Sequence, residues 1–406
     1  MNRRELLIRG AAAGVAGMLA PRLAHASGGD CLIVYVANGG WDPTFVFDPH
    51  LDSATVQGPP DSTLATAGGI TFADAASRPA VRSFFEQHGA RSCVVNGIAV
   101  GSISHPKCMR LMMTGSRRTD FADVATRVGA AAGAGLALPA LVVSGPRYPG
   151  ALGASTTPLS RTLLGTVDGS LPADAGFDPG VESRIRGFLA EEAGFMAADE
   201  PSVLVDQYVE GLSRYDDLEA GIAQLRLQAY AQWREQAEAG VAALSGGLSR
   251  AVVIEGTVPL LSQWDSHASN DDLQDRNFEH MFGELSQLLQ MLGRAAAPEG
   301  GRLDERTTLL VLSEMGRTPV QNSVGGKDHW PYTSAMLVGA GIAGGRVVGA
   351  TDDTLTGMAV DPMTGAASTT GTLVTPASLA AGLLERFGID ATEAFPDAAP
   401  FRAPFA

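Results

Sequence analysis

Six short apolar runs, residues 32–37, 93–96, 141–144, 251–254, 308–312 and 335–338, limit what this chain can fold into. Each is too short for a stable helix, is rich in leucine or β-branched residues, and is mostly followed by Gly, Ser, Asn or an acid, as strands buried on both faces of a parallel sheet are. Between them lie stretches of helical spacing, clearest at residues 203–244 and 273–292, with smaller ones at 82–86 and 106–113. Strand alternating with helix predicts a doubly wound α/β domain with a mostly parallel sheet. Residues 151 to about 249 show no convincing strand and read as a mainly helical insertion, packed on the sheet or capping its site. Residues 150–176 and 345–371, rich in Gly, Thr, Asp and Ala, read as long loops or small hairpins.

The first 26 residues read differently from the rest. Arg3-Arg4 precedes a weakly hydrophobic Ala/Gly-rich run to Ala20, and Ala24-His25-Ala26 has the A-x-A form of a signal-peptidase site. This is the pattern of a twin-arginine export signal, which implies the translocation machinery as a partner and a periplasmic or extracellular location. The run is too short and glycine-rich for a lasting membrane span, so the mature form, residues 27–406, is expected to have no transmembrane anchor and to be a single domain. Losing four arginines and Glu5 takes the formal charge from −15 to −18. Such acidity excludes nucleic acid, because nothing compensates phosphate repulsion. The three cysteines, Cys31, Cys93 and Cys108, are an odd number, so at least one is free or paired between chains. Cys31 and Cys93 begin two apolar runs and read as buried thiols, unless adjacent strands bring them together. Cys108-Met109-Arg110 lacks the proline of a formylglycine-forming C-x-P-x-R motif, which argues against a sulfatase of that kind.

Acids and imidazoles recur just beyond the predicted strands, where open α/β sheets collect their ligands. Asp42 follows the turn Asn38-Gly39-Gly40, and Ser313-Glu314 ends the fifth run. Asp265 and His267 have the D-x-H spacing that can put two side chains on one metal, and Asp328-His329 closes a loop before the sixth run. Ser104-His105-Pro106 starts a helical stretch that ends at Thr114-Gly115, which places Ser104 at or beside an N-cap with unpaired N–H groups ahead of it. Arg317 could grip an oxyanion by a bidentate contact, or could pair with Glu314 or Asp328 to order the loop. Of the remaining histidines, His88 and His280 lack acidic partners at telling spacing, and His50 is separated from Asp48 by Pro49; these are set aside as structural or exposed. Gly339-Ala-Gly341-Ile-Ala-Gly344 has the G-x-G-x-x-G form, but strand-like Arg346-Val347-Val348 follows it instead of a helix, so it is not a dinucleotide fingerprint.

The words SEMGRTP at residues 313–319, KDHWP at 327–331 and GAGIAGGRVVGATDD at 339–353 resemble the exported proteins grouped as domain of unknown function 1501. Thinner similarity runs through Gly39–Asp42, residues 104–115, Trp264–His267, residues 375–379 and 388–390. That family's fold resembles the alkaline phosphatases and sulfatases, while its own substrate is not established. The resemblance implies one metal held by Asp265, His267 and His329, and another by Asp42, Glu314 and Ser104, with Asp328 a ligand or an orienting partner of His329. The nucleophile in that superfamily lies about ten residues before a Thr-Gly, which leaves Ser104 and His105 both in register. Ser104 suits attack on a phosphate or sulfate ester, and His105 suits a ligand or acid. Mixed oxygen and nitrogen donors favour zinc or manganese, with magnesium or calcium possible. The superfamily commonly has an Asp-His pair where this chain has Ser313-Glu314, so a second ion would have one imidazole fewer. The implied activity is ester hydrolysis on a small molecule or polymer; the rivals are a non-catalytic exported binding or assembly protein, and a redox enzyme loaded with a cofactor before export.

Overall fold

The computed structural model describes residues 30–132, 135–159 and 232–406. The export segment and most of the expected helical stretch at 203–244 lie outside them. The described strands are β1 Cys31–Val36, β2 Thr63–Ala67, β3 Ile70–Asp74, β4 Ser92–Ala99, β5 Ala140–Val142, β6 Thr156–Pro158, β7 Ala251–Glu255, β8 Thr307–Leu312, β9 Gly316–Arg317, β10 His329–Trp330, β11 Tyr332–Gly339 and β12 Arg346–Val348. The described helices are α1 Pro79–His88, α2 His105–Thr114, α3 Val124–Ala131, α4 Trp233–Ser245, α5 Asn270–Arg294 and α6 Pro376–Arg386.

Eight strands form one sheet in the order β12-β4-β11-β8-β1-β7-β5-β6. All six apolar runs are in it. Along β1 the side chains alternate: Ile33 and Tyr35 pack with α1, α4 and α5 on one face, Leu32, Val34 and Val36 with α2, α3 and α6 on the other. This period of two in a strand covered on both sides explains why β1 is entirely buried and reads as an unbroken apolar run. Filling both faces removes most of the apolar surface from water, at roughly 25 cal/mol per Å².

Two expectations are corrected. Strand β11 is antiparallel to both β8 and β4, whereas the other sheet pairings are parallel. A parallel return to a neighbouring strand needs a crossover along the sheet, usually a helix. Residues 313–331 contain none and stay at the carboxyl edge as loop and the small β9–β10 ladder, so the chain re-enters beside β8 in the opposite sense. The start of β11 therefore lies at the edge where its neighbours end, Tyr332 opposite Ala99 and Ala335 opposite Leu312. The second correction is within 151–249, where Thr156–Pro158 forms an edge strand parallel to β5. Three residues ending in proline give no periodicity to read.

The β2–β3 hairpin turns through Gly68-Gly69, whose φ values of 55° and 86° suit a two-residue turn with a left-handed first position. The three cysteines are free and buried. Burial pushes the thiols of Cys31 and Cys93 up to about 11 and about 12, and β11 and β8 separate their strands, so they are not neighbours. No described helix is long and apolar enough to cross a membrane.

Candidate metal centre

The site is assembled at the carboxyl edge of the sheet from four stretches: the β1 turn, the start of α2, the loop after β7, and the excursion between β8 and β11. The Gly39-Gly40 turn (φ 128° and 80°) leaves no room for a side chain, because a Cβ on Gly39 would meet Trp264 Cβ at 2.9 Å. Its backbone N–H groups point at Glu314: Gly39 donates to Oε1 at 2.8 Å and to Oε2 at 3.0 Å, and Gly40 to Oε2 at 3.2 Å. Ser313 adds its hydroxyl at 3.0 Å. Successive N–H groups of this kind form an anion-holding concavity, and here the anion is the protein's own carboxylate.

Glu314 in turn fixes His105, whose Nδ1 lies 2.7 Å from Oε1. His267 Nδ1 lies 2.8 Å from Asp328 Oδ1, and His329 Nδ1 lies 2.8 Å from the carbonyl oxygen of Ile103. All three Nδ1 atoms thus face acceptors. A carbonyl accepts only, so His329 carries its proton on Nδ1, and a neutral ring there presents a bare lone pair at Nε2. The same tautomer follows for His105 and His267 while Glu314 and Asp328 are ionised. The Nε2 atoms of His267 and His329 are 2.9 Å apart, and each is 3.2 Å from Asp265 Oδ1. One ligand atom from each of His105, Asp265 and His329 lies within 4.8 Å of the other two, a group able to hold a metal ion. Lone pairs and a carboxylate oxygen this close repel unless a proton or a cation lies among them.

Burial opposes ionisation of Asp265, but the hydrogen bond and charge of Arg317, helped by His329, hold its carboxyl below the usual value. The bond to Glu314 raises the pKa of His105 against the opposing effect of burial.

The structure separates the sequence candidates. Asp265, His267, His329 and His105 converge, with Glu314 and Asp328 behind them as hydrogen-bonding supports; Asp328 orients His267 and not His329. Asp42, expected to ligate, is held elsewhere. Its carboxylate is buried and its Oδ2 pairs with Lys327 Nζ at 2.7 Å and accepts from Asn270 at 3.1 Å, while Oδ1 accepts from the Thr44 N–H and hydroxyl. Glu314 is likewise occupied by N–H groups and His105. Arg317 is fully buried and does not reach toward solvent: its guanidinium donates to the carbonyls of Gly39, Gly40, Trp264 and Lys327 and to Asp265 Oδ1. It orders loops through these carbonyls and Asp265, and pairs with neither Glu314 nor Asp328, the partners its sequence reading named. Ser104 is the N-cap residue of α2, but its side chain makes no capping bond.

Three contributors gave no sequence signal of their role. Lys327 is one of only two lysines in the chain, but nothing in the sequence shows that the fold buries it against Asp42, and the carbonyl of Ile103 is a backbone group any residue carries. Gln274 was a third: it accepts from the Asp42 N–H and donates to Trp264 and Ser266, tying the β1 turn to the Asp265–His267 loop.

Residues 224–400 match the model of a family described as "Protein of unknown function (DUF1501)". That DUF1501 segment contains Asp265, His267, Glu314, Arg317, Asp328 and His329, while Asp42, Ser104 and His105 precede it. No curated protein matches the chain.

Proposed function

We propose that this protein is an exported, metal-dependent hydrolase of phosphate or sulfate esters, with an alkaline phosphatase-like arrangement of its sheet and site. The observation that carries the reading is the meeting of Asp265 Oδ1 with the Nε2 atoms of His267 and His329 at the carboxyl edge of a mostly parallel sheet. A divalent cation held there supplies positive charge where an ester's oxygens become more negative on the way to the transition state. Imidazole and carboxylate together suit zinc or manganese, and admit magnesium or calcium less well.

The chain's own residues have separable tasks in this reading. Ser104 stands at the N-terminal end of α2 with a hydroxyl free of the cap, where the first N–H groups of the helix favour an anion. In this reading Ser104 is the residue that attacks phosphorus or sulfur. Arg317 holds the Gly39-Gly40 turn, the Trp264 carbonyl and Asp265 in register, and so positions the site without touching a substrate. Arg3-Arg4 and Ala24-His25-Ala26 support export by the twin-arginine machinery to the periplasm or beyond.

Hydrolysis of an aryl phosphate monoester, a phosphodiester and an aryl sulfate, each with zinc, manganese, magnesium or calcium supplied, tests the reading. Metal-dependent turnover of at least one ester, abolished by Ser104→Ala in a protein that stays folded, is the expected result. Ser104 makes no capping bond to lose, so a folded, inactive variant points to chemistry. Full activity in Ser104→Ala removes the serine from the mechanism. A second reading, a non-catalytic exported binding or assembly protein, is favoured by the enclosure of Arg317, whose guanidinium is held by carbonyls and Asp265 and so does not grip an oxyanion; absence of turnover on every ester gives it the lead.

A further inference from the structure

We infer that the centre is built for a single ion bound by four protein atoms, the Nε2 atoms of His105, His267 and His329 and a carboxylate oxygen of Asp265. His105 is then a ligand, not the acid or nucleophile its place in the sequence also allows. The inference rests on the metal-dependent part of the reading above; four protein ligands fill a tetrahedral ion, so an ester could reach it only if the ion expanded to five-coordination, and the inference is independent of hydrolysis.

The spacing fits one ion. Bonds of about 2.0–2.1 Å directed to the corners of a tetrahedron set neighbouring ligand atoms roughly 3.3 Å apart. His267 Nε2, His329 Nε2 and Asp265 Oδ1 form a triangle of 2.9, 3.2 and 3.2 Å, close to one face of that tetrahedron. His105 lies beside that face, with a ligand atom within 4.8 Å of ligand atoms of Asp265 and His329. Its ring stands edge-on to that of His329, with centroids 4.4 Å apart, and its Nε2 lies 3.5 Å from Asp265 Oδ2. That Nε2 is buried from solvent and has no hydrogen-bond partner among the described residues. A buried imidazole nitrogen left without a partner is costly, and a cation at the triangle would satisfy it. Glu314 behind Nδ1 is the carboxylate that a metal-binding histidine commonly has, fixing the tautomer and the direction of the lone pair.

A second ion lacks donors. The resemblance assigns it Asp42, Glu314 and Ser104, but Asp42 is neutralised by Lys327 and Glu314 is engaged by the β1 turn and by His105. Three imidazoles and one carboxylate on a single ion favour zinc or another transition metal over magnesium and calcium, which prefer oxygen.

The experiment is metal analysis of the full chain purified without chelator, followed by titration of the metal-free protein with zinc and with cobalt(II). One equivalent per chain is expected, with a cobalt spectrum of low-coordinate intensity. His105→Ala should weaken zinc affinity by more than about 100-fold and change the cobalt spectrum, and Glu314→Gln, which keeps a hydrogen-bond acceptor behind His105, should weaken it about 10- to 100-fold. His280→Gln, remote from the centre, should bind as the parent does. If His105→Ala fails to fold by circular dichroism, Glu314→Gln carries the test. Two equivalents, or one equivalent with unchanged affinity and spectrum in the variants, overturns the four-atom assignment. No bound metal overturns both this inference and the metal-dependent reading. One equivalent lost in the variants, with no ester turned over by the parent, leaves the centre standing and removes only the hydrolase.

Discussion

Replacing Lys327 by methionine tests whether Asp42 is a structural acid. Lys327 and Asp42 are both fully buried, with Nζ 2.7 Å from Oδ2, and Nζ also donates to the Gln57 carbonyl at 2.6 Å. Methionine fills nearly the same volume without the charge, so packing is largely kept. The carboxylate retains Thr44 and Asn270 but loses its cation, and removing one partner of a buried pair costs about 3–5 kcal/mol. At about 2.1 cal/mol/K of unfolding entropy per residue, a loss of that size lowers the melting temperature of a chain this long by roughly 4–6 °C. Calorimetry or a thermal scan by circular dichroism, at one scan rate for all variants, reads the shift. The double variant Asp42→Asn, Lys327→Met removes both charges and should recover most of the loss, leaving the unpaired Gln57 carbonyl at about 1 kcal/mol. In both proteins zinc bound per folded chain should equal that of the parent. The reasoning is refuted if Lys327→Met melts within 1 °C of the parent, as a weak pair would, or if the folded double variant has lost its metal, as a ligating Asp42 would require.

Other outcomes follow from the same structure. Gly326 lies against the loop after β7, and a Cβ there would come within 1.9 Å of the His267 carbonyl, so Gly326→Ala should cost about 1–3 kcal/mol and displace His267, seen as weaker zinc binding; unchanged binding would falsify the close approach. Burial first, and then the charge of Arg91, hold His88 below the ordinary imidazole pKa, so the unfolded chain takes up the proton before the folded one. Its contribution to stability is therefore complete above the unfolded value of about 6.5 and declines as pH falls below it; His88→Gln should lessen the fall in urea midpoint between pH 7 and pH 5, and an identical fall would contradict this. Changing Arg3 and Arg4 to lysine should retain the precursor in the cytoplasm, and cell fractionation showing normal export would exclude the twin-arginine route.

Much of the fold was legible because its physics is local. A strand covered on both faces must be apolar throughout, so β1, β4, β5, β7, β8 and β11 announce themselves as runs, and the proline and glycine around residues 105–115 mark the ends of α2. The glycine pair before Asp42 and the return of polarity at Ser313-Glu314 likewise mark the sheet edge where a site belongs. What those residues do there was not local. Whether an acid ligates a cation, pairs with a lysine or orients a histidine depends on which groups meet it, and those come from distant stretches: Lys327 for Asp42, His105 for Glu314, Asp328 for His267. The sense of β11 was hidden for the same reason, since residues 332–339 are equally apolar in either direction and only the course of the preceding loop orients them. By itself the sequence determined which residues are buried in strands, where the sheet edge lies and which side chains have donor atoms. Tertiary structure alone decided how those donors divide between a converging cluster and its supports, because that division is set by distances of about 3 Å between groups far apart in the chain, at which several lone pairs come together and one buried lysine satisfies a carboxylate.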